Sequence, residues 1–323
     1  MKEHTTKLAL IRFLADGQFH SGEALGEALG ISRAAISKHI KGIQEWGIDI
    51  HRVQGKGYCL AAGFDLLDES MILTQVDCPS LTLIPVIDST NQYMLDRIGQ
   101  LPKGAVCVAE YQQAGRGRRG RQWLSPFGSN LYLSMYWRLD AGVAAAMGLS
   151  LVVGLAVAKT LQKLGAAEIK VKWPNDLYFQ DKKLAGILVE MSGKAGDAAH
   201  LVIGMGLNLT MANTDTDTVG QPWSNLAEAC EPMPDRNQLA AAIIDGVTET
   251  LRRYEEVGMA GFVDEWDQYD NFLGRPVKLL IGDKVVRGIA RGINAQGALI
   301  LDTEQGKIPY LGGEISLRKD DSR

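Results

Sequence analysis

Residues 115–121 read Gly-Arg-Gly-Arg-Arg-Gly-Arg, the most unusual stretch of this chain. Arginines at this density would repel one another in a packed helix or strand, which predicts a loop that an anion holds or that is left mobile. Glycines let the backbone close around a phosphate, and arginines bind phosphate or carboxylate oxygens in pairs. An RNA-binding segment and a merely solvated loop are the alternatives. Because the stretch occurs once, between the strand-like residues 106–111 and Trp123, we favour a nucleotide site.

Polar residues also follow the first predicted strand of this central segment, residues 81–87. Ser89 and Thr90 come next, at the start of a predicted helix. Their hydroxyls and the free N–H groups of the helix N-terminus suit a polar ligand, although simple capping explains the same residues. The chain has no P-loop and no glycine fingerprint of a dinucleotide fold, so any ATP is held in another way.

Three later motifs present further polar groups. A strand over 168–172 runs into the turn Lys-Trp-Pro-Asn-Asp at 172–176. The following hairpin presents Lys183 beside Gly186, which predicts either an anion-binding cation or an ordinary solvated lysine. The stretch 204–208 closes a buried strand and ends at Asn208, a candidate contact for adenine or ribose. Each signal is weak alone.

The first sixty residues have the pattern of a winged helix-turn-helix. Ser21 and Ser32 are suitable N-caps for two helices separated by Gly30, and Gln54-Gly-Lys-Gly57 forms the tip of a hairpin wing. This segment has more basic than acidic side chains, whereas the whole chain has a net charge of −4. A three-helix packing module without a nucleic-acid role is the alternative. The predicted DNA-binding residues are Ser21, Ser32, Arg33, Ala34, Ser37, Lys38, Lys41 and Lys56.

Composition indicates a soluble globular protein, with 46% hydrophobic and 22% charged residues. The apolar stretch 147–158 is shorter than the roughly 20 residues of a membrane span and predicts a buried helix. Residues 1–7 lack the apolar core of a signal peptide. Four widely separated cysteines predict reduced thiols in a cytoplasmic protein and argue against a structural metal.

Taken in their order along the chain, five motifs resemble those of biotin–protein ligases. They are Asp-Ser-Thr-Asn (88–91), the glycine–arginine loop (115–121), Lys-Trp-Pro-Asn-Asp (172–176), Lys-Leu-Ala-Gly-Ile-Leu (183–188) and Gly-x-Gly-x-Asn (204–208). With the two terminal segments, the resemblance covers essentially the whole chain and is to the bifunctional ligases that also repress the biotin operon. It implies an α+β multidomain fold. We expect a winged helix-turn-helix over 1–62, a central α/β ligase domain with a mixed sheet over 66–270, and an SH3-like β-barrel over 271–323.

The resemblance also assigns ligand contacts. The ureido ring and sulfur of biotin would be held by Ser89, Thr90, Gln112 and the backbone of Gly115 and Arg116. Trp123 would stack on adenine, near Asn175 and Asn208. The complete predicted set for biotin and ATP is Ser89, Thr90, Asn91, Gln112, Gly115, Arg116, Gly117, Arg118, Trp123, Lys172, Asn175, Lys183, Gly186 and Asn208.

The implied reaction has two steps. Biotin carboxylate attacks MgATP and gives biotinoyl-5′-adenylate, and a lysine of the biotin carboxyl carrier protein then displaces AMP. Arg118 and Lys183 would face the carboxylate and phosphate, and with Arg116 they would meet the charge that develops at phosphorus. Asp176 is our candidate for orienting or deprotonating the acceptor lysine.

The remaining expectations concern partners and alternatives. The adenylate-loaded protein would either meet its acceptor or form a homodimer that binds operator DNA. A lipoate ligase of the same fold and a non-catalytic ligand sensor are the competing functions. Residues 211–223 are unusually rich in Thr and Asp for the segment that covers adenine, which predicts a weaker ordering of this segment by the adenylate.

Overall fold

The computed structural model describes residues 4–60, 65–194, 197–211, 220–312 and 315–320. Its first part, here called the head, contains three helices and a hairpin: α1 (Thr5–Leu14), α2 (Gly22–Leu29), α3 (Arg33–Gln44), β1 (Ile50–Val53) and β2 (Gly57–Leu60). The predicted boundary at residues 61–63 lies outside the described ranges.

Capping groups that are visible in the sequence set the limits of the head helices. The Ser21 hydroxyl accepts the Ala24 N–H at 3.0 Å, and the Ser32 hydroxyl accepts the Ala35 N–H at 3.2 Å. Between them, Gly30 ends α2 in the left-handed conformation, with φ of 67°. The winged helix-turn-helix prediction is therefore confirmed as a fold.

The central part is built on a mixed sheet. Its strands are β3 (Leu81–Leu83), β4 (Val86–Ile87), β5 (Val106–Ala109), β6 (Tyr111–Gln112), β7 (Asn130–Leu139), β8 (Lys170–Lys172), β9 (Asp176–Phe179), β10 (Lys182–Ser192) and β11 (Ala199–Asn208). Seven of them form one sheet in the order β3-β5-β7-β11-β10-β9-β8, while β4 and β6 make a separate parallel pair. Within the large sheet β3 and β5 run parallel and the other neighbours are antiparallel.

The prediction of one continuous strand over 81–87 is wrong. Leu81–Leu83 joins the large sheet, whereas Val86–Ile87 pairs with β6. Pro85 lies at the break, and its missing N–H cannot extend a strand ladder. The change of partner directs the following residues, Ser89 and Thr90, towards the site described below.

Helices cover both faces of the sheet. They are α4 (Glu69–Leu73), α5 (Thr90–Leu95), α6 (Leu149–Lys163), α7 (Arg236–Val257) and α8 (Val263–Tyr269). α6 and α7 pack together with the main core, and α5 packs on β7 and β11 with a smaller core around Met94, Cys107 and Tyr136. The segment Val143–Lys163 is long and apolar enough to cross a membrane, yet 56% of its apolar window is buried in the protein. The predicted buried helix at 147–158 is thus confirmed in its main part.

The last part is a five-stranded antiparallel sheet. Its strands are β12 (Pro276–Ile281), β13 (Lys284–Ile293), β14 (Leu299–Thr303), β15 (Gly306–Tyr310) and β16 (Ile315–Lys319), in the order β15-β14-β13-β12-β16. Within the described part of the chain the edge strands β15 and β16 are not paired, so the expected SH3-like barrel is not confirmed. Trp173 docks this sheet on the central part by donating its indole N–H to the Gly297 carbonyl at 3.1 Å.

The head is joined to the central part by aromatic packing. Trp46, directly after α3, stacks on Phe127 and Tyr111 of the central part, each at 5.6 Å between ring centroids. The Phe127 N–H also donates to the Trp46 carbonyl at 2.8 Å. Phe127 is 1% exposed and belongs to the hydrophobic core of the head. The head core is therefore completed by a residue from another domain.

We expect Phe127→Ala to lower the free energy of unfolding by about 3 kcal/mol, because it leaves a cavity in this shared core. Leu124→Ala is the matched control, since Leu124 lies in the same connecting segment and is 39% exposed. The control is expected to change stability by less than about 0.5 kcal/mol. Denaturant unfolding of both variants measures the difference, and equal stabilities would contradict the role given to Phe127.

Candidate functional site

A cavity of about 510 Å³ lies at one end of the central sheet. All the residues that the sequence predicted for ligand binding or catalysis line it. They are Ser89, Thr90, Asn91, Gln112, Gly115, Arg116, Gly117, Arg118, Trp123, Lys172, Asn175, Asp176, Lys183, Gly186 and Asn208. Residues far apart in the chain are thus brought to one site, while their individual roles stay predictions.

One end of the cavity is neutral and buried. The Gln112 side-chain oxygen accepts from both the N–H of Thr90, at 3.0 Å, and its hydroxyl, at 3.1 Å. The Gln112 amide then donates to the Ser125 hydroxyl at 3.1 Å. Ser89 caps α5 through the N–H of Gln92 at 3.4 Å, so the capping explanation and a ligand role apply to the same residue. This end offers oriented hydrogen-bonding groups without a net charge.

The other end of the cavity is cationic. The ammonium of Lys183 lies 2.8 Å from Asp176, and each side chain is 14% exposed. Arg118 donates to the Asn175 side-chain oxygen at 2.9 Å, while the Asn175 amide donates to the Ile187 carbonyl at 2.7 Å. The backbone of β10 thereby fixes the amide that orients Arg118. Lys183 is consequently not an ordinary solvated hairpin lysine.

Lys172 adds a third, more deeply buried cation. It is 4% exposed and donates to the Tyr178 hydroxyl at 2.7 Å. Burial lowers the pKa of Lys172 to about 8, the charge of Asp176 opposes this shift, and the charges of Arg318 and Lys183 add to it. Its ammonium therefore loses its proton around pH 8.

Two glycines of β11 make the floor of the cavity. A Cβ at Gly204 would lie 2.3 Å from the Asn91 side-chain oxygen, and a Cβ at Gly206 would lie 2.4 Å from the Trp123 indole. Either side chain would displace its neighbour, since real Cβ atoms do not approach so closely. The Gly-x-Gly spacing of residues 204–206 thus reflects the close packing of Asn91 and Trp123 on one face of the strand.

Two arginines of the glycine–arginine loop are held by protein groups. Arg116 donates to the Glu190 carboxylate and, at 2.7 Å, to Gln92, while Arg118 is held by Asn175. These protein groups hold two arginine side chains of the loop, and the predicted contact of the loop with an anion stays a prediction. The Arg116 guanidinium is paired with Glu190, so its expected contact with charge at phosphorus stays a prediction; Arg116 also lines the cavity.

Two predicted ligand contacts have their side-chain amides engaged within the protein. Asn91 donates to Glu190 at 2.9 Å and accepts from the Ser134 hydroxyl at 2.6 Å. Asn208 donates to the Ser224 carbonyl at 3.2 Å. Both are 4% exposed, so any direct ligand contact by them stays a prediction.

The sequence reasoning missed residues from both other domains. Arg318 of β16 and Trp46 of the head line the same cavity. An arginine near the end of a chain and a tryptophan after a helix carry no local signal of a site. Met211 and Trp223 also line the cavity. Residues 212–219 between them lie outside the described ranges. The predicted weaker ordering of the segment 211–223 therefore stays a prediction.

The predicted DNA-binding side chains of the head are accessible. Ser37 is half-buried, and the other members of the set are exposed: Ser21, Ser32, Arg33, Ala34, Lys38, Lys41 and Lys56. Ile36, Ile40 and Ile43 occupy the opposite, buried face of α3. One face of α3 is thus exposed and basic, and the opposite face is apolar and buried.

Comparisons with known proteins agree with this arrangement. Residues 83–208 match the model of the biotin/lipoate A/B protein ligase family, residues 272–318 the biotin protein ligase C-terminal domain, and residues 6–59 a helix-turn-helix domain. The structure of the biotin protein ligase from Aquifex aeolicus in complex with biotin and ATP is similar, with a TM-score of 0.66 and 30% identity. That similarity covers 75% of this chain and all of the Aquifex chain.

The fold, the cavity and these matches define the class, and the chain belongs to the biotin/lipoate A/B protein ligase family. It is 57% identical to the bifunctional ligase/repressor BirA of Escherichia coli K12, over 98% of this chain and 99% of that protein. The bifunctional ligase/repressor BirA of Bacillus subtilis is 29% identical over 94% of this chain.

We expect the chemistry of this site to depend on the charge of Lys172. Since its pKa is lowered to about 8, the charge is present below that pH and lost above it. Activity of the wild-type protein should therefore fall as the pH rises from about 7 to about 9, with close to tenfold fewer charged sites at the upper value.

Lys172→Arg keeps the charge over this range and should flatten the fall. Lys170→Arg, on the same strand, is the matched control and should keep the wild-type profile. The measurement is the initial rate of adenylate formation from biotin and MgATP, the first step of the expected reaction, against pH for all three proteins. Identical slopes for Lys172→Arg and wild type would contradict a role for this charge.

Proposed function

We propose that the protein is an ATP-dependent biotin–protein ligase that also represses biotin biosynthesis genes through its head. The observation that carries this is the division of one cavity into a neutral hydrogen-bonding end and a cationic end. Biotin has a polar uncharged ring and an anionic tail, and its partner ATP is anionic. The 57% identity to a bifunctional ligase/repressor over nearly the whole chain supports the same function.

In the first step the biotin carboxylate attacks the α-phosphate of MgATP and pyrophosphate leaves. Two anions must approach each other, and the charges of Arg118, Lys183, Lys172 and Arg318 offset their repulsion. In the second step the acceptor lysine attacks the mixed anhydride and releases AMP. The protein forms no covalent intermediate, so positioning in the cavity supplies much of the acceleration.

Asp176 is proposed to hold Lys183 in place and to orient or accept a proton from the acceptor lysine. Its carboxylate is 2.8 Å from Lys183 and is partly accessible from the cavity. Asp176→Asn should slow biotin transfer from preformed adenylate by about tenfold to a hundredfold. Asp181→Asn is the control, because the Asp181 carboxylate pairs with Arg275 near the C-terminal sheet. Transfer by Asp176→Asn at the wild-type rate would end the proposed role.

ATP–pyrophosphate exchange tests the ligase function most directly. Exchange should be stimulated by biotin but not by lipoate or by ATP alone. Lys183→Met should lower it by about a hundredfold, because a cation is lost from the reacting anions. Lys182→Met, which changes the exposed neighbour, should not lower it. Stimulation by lipoate would retain the mechanism and replace the substrate, whereas no exchange with either acid would favour a ligand sensor.

The repressor function is proposed to depend on a ligand-promoted homodimer. Each head would bind one operator half-site through the basic face of α3, with Lys56 of the wing against phosphate. The protein partner is a biotin carboxyl carrier protein. All four cysteines are free thiols, three of them buried, which supports a cytoplasmic location.

A further inference from the structure

Glu190 has two partners that belong to different parts of the site. One carboxylate oxygen accepts from the guanidinium of Arg116 in the glycine–arginine loop. The other oxygen accepts from the Asn91 amide at the start of α5, at 2.9 Å. Glu190 itself lies on β10, a central strand of the sheet, opposite Val202 of β11. A carboxylate on a rigid strand thus joins a loop to a helix N-terminus.

The contacts of Asn91 continue into the neutral end of the cavity. Its oxygen accepts from the Ser134 hydroxyl at 2.6 Å, and that hydroxyl also lies 2.7 Å from the Thr90 hydroxyl. Thr90 in turn donates to Gln112, just before the loop. Ser134 is fully buried, and Asn91 and Thr90 are each 4% exposed, so water competes little for these hydrogen bonds.

The two ends of this network meet the same stretch of chain. Gln112 lies just before the glycine–arginine loop, and Arg116 lies inside the loop, only a few residues further along the chain. The Gln112 end is held through Thr90 and Ser134, and the Arg116 end is held by Glu190. Because Glu190 is 20% exposed and Arg116 39% exposed, the ionic end is the one that water can open.

We infer that Glu190 is a positioning residue that latches the glycine–arginine loop in its closed, ligand-binding form. Its carboxylate holds the Arg116 side chain, and this places the backbone of residues 115–117 against the cavity. Through Asn91 it ties that closed loop to the groups that hold the acid substrate. The inference deepens the proposed function, since the latch would slow the escape of biotin and then of the adenylate.

The test is a double-mutant cycle on Glu190→Gln and Arg116→Gln, measured as the dissociation rate of biotin and as the KM and kcat of exchange. Each single variant should accelerate dissociation by about tenfold, as expected for one charge-assisted hydrogen bond. KM for biotin should rise with it, while kcat of Glu190→Gln changes little. The double variant should be no faster than the singles, because both remove the same interaction. A double variant that releases biotin about a hundredfold faster than wild type, as independent effects would give, would overturn the latch. An unchanged dissociation rate in Glu190→Gln would also overturn it.

Asp302→Asn is the matched control, since Asp302 forms a similar half-exposed pair with Arg291 and neither residue lines the cavity, and it should leave every rate unchanged. A second measurement needs no biotin. Trypsin cleavage after Arg119 or Arg121 in the ligand-free protein should be several-fold faster in Glu190→Gln than in wild type. Equal cleavage rates would overturn the latch even if the protein is a biotin ligase. A wild-type protein without biotin-dependent exchange would refute the proposed function and leave the cleavage result valid.

Discussion

The close packing at the end of β11 is the constraint on which the rest of the site depends. Asn91 and Trp123 approach the backbone at Gly204 and Gly206 to distances that exclude any side chain. This brings a helix N-terminus and a loop against the same strand. The neutral hydrogen-bonding groups and the fixed cations can then share one cavity, because no side chain of the floor separates them.

The charges of the site are balanced by few acidic groups. Asp176 lies against Lys183 and also influences Arg118 and the buried Lys172. Burial lowers the pKa of Lys172 and of Arg118, since both lose solvation, and Asp176 partly restores each. The cationic end thus keeps a net positive charge that suits anionic substrates.

One stretch of chain serves both the cavity and the head. Tyr111 and Phe127 stack on Trp46, whereas Gln112, Gly115 and Trp123 between them line the cavity. The glycine–arginine loop therefore lies between two residues that pack on the head core. Packed rings and the Phe127–Trp46 hydrogen bond therefore connect the segment that flanks the loop to the head.

Much of this protein was determined by local sequence. Serine caps and a left-handed glycine set the head helices, and the motifs were sufficient to name many of the residues that line the cavity. The sequence could not show which strands pair in a sheet or which distant side chains come into contact. Pro85 divides an apparently continuous strand between two sheets, Glu190 takes up Arg116, and Arg318 and Trp46 enter the cavity from other domains. Caps and turns depend on neighbours within a few residues, so they can be read from the chain. The latch and the shared cavity join residues that lie scores of positions apart, and only the tertiary packing of three domains decides which of them meet.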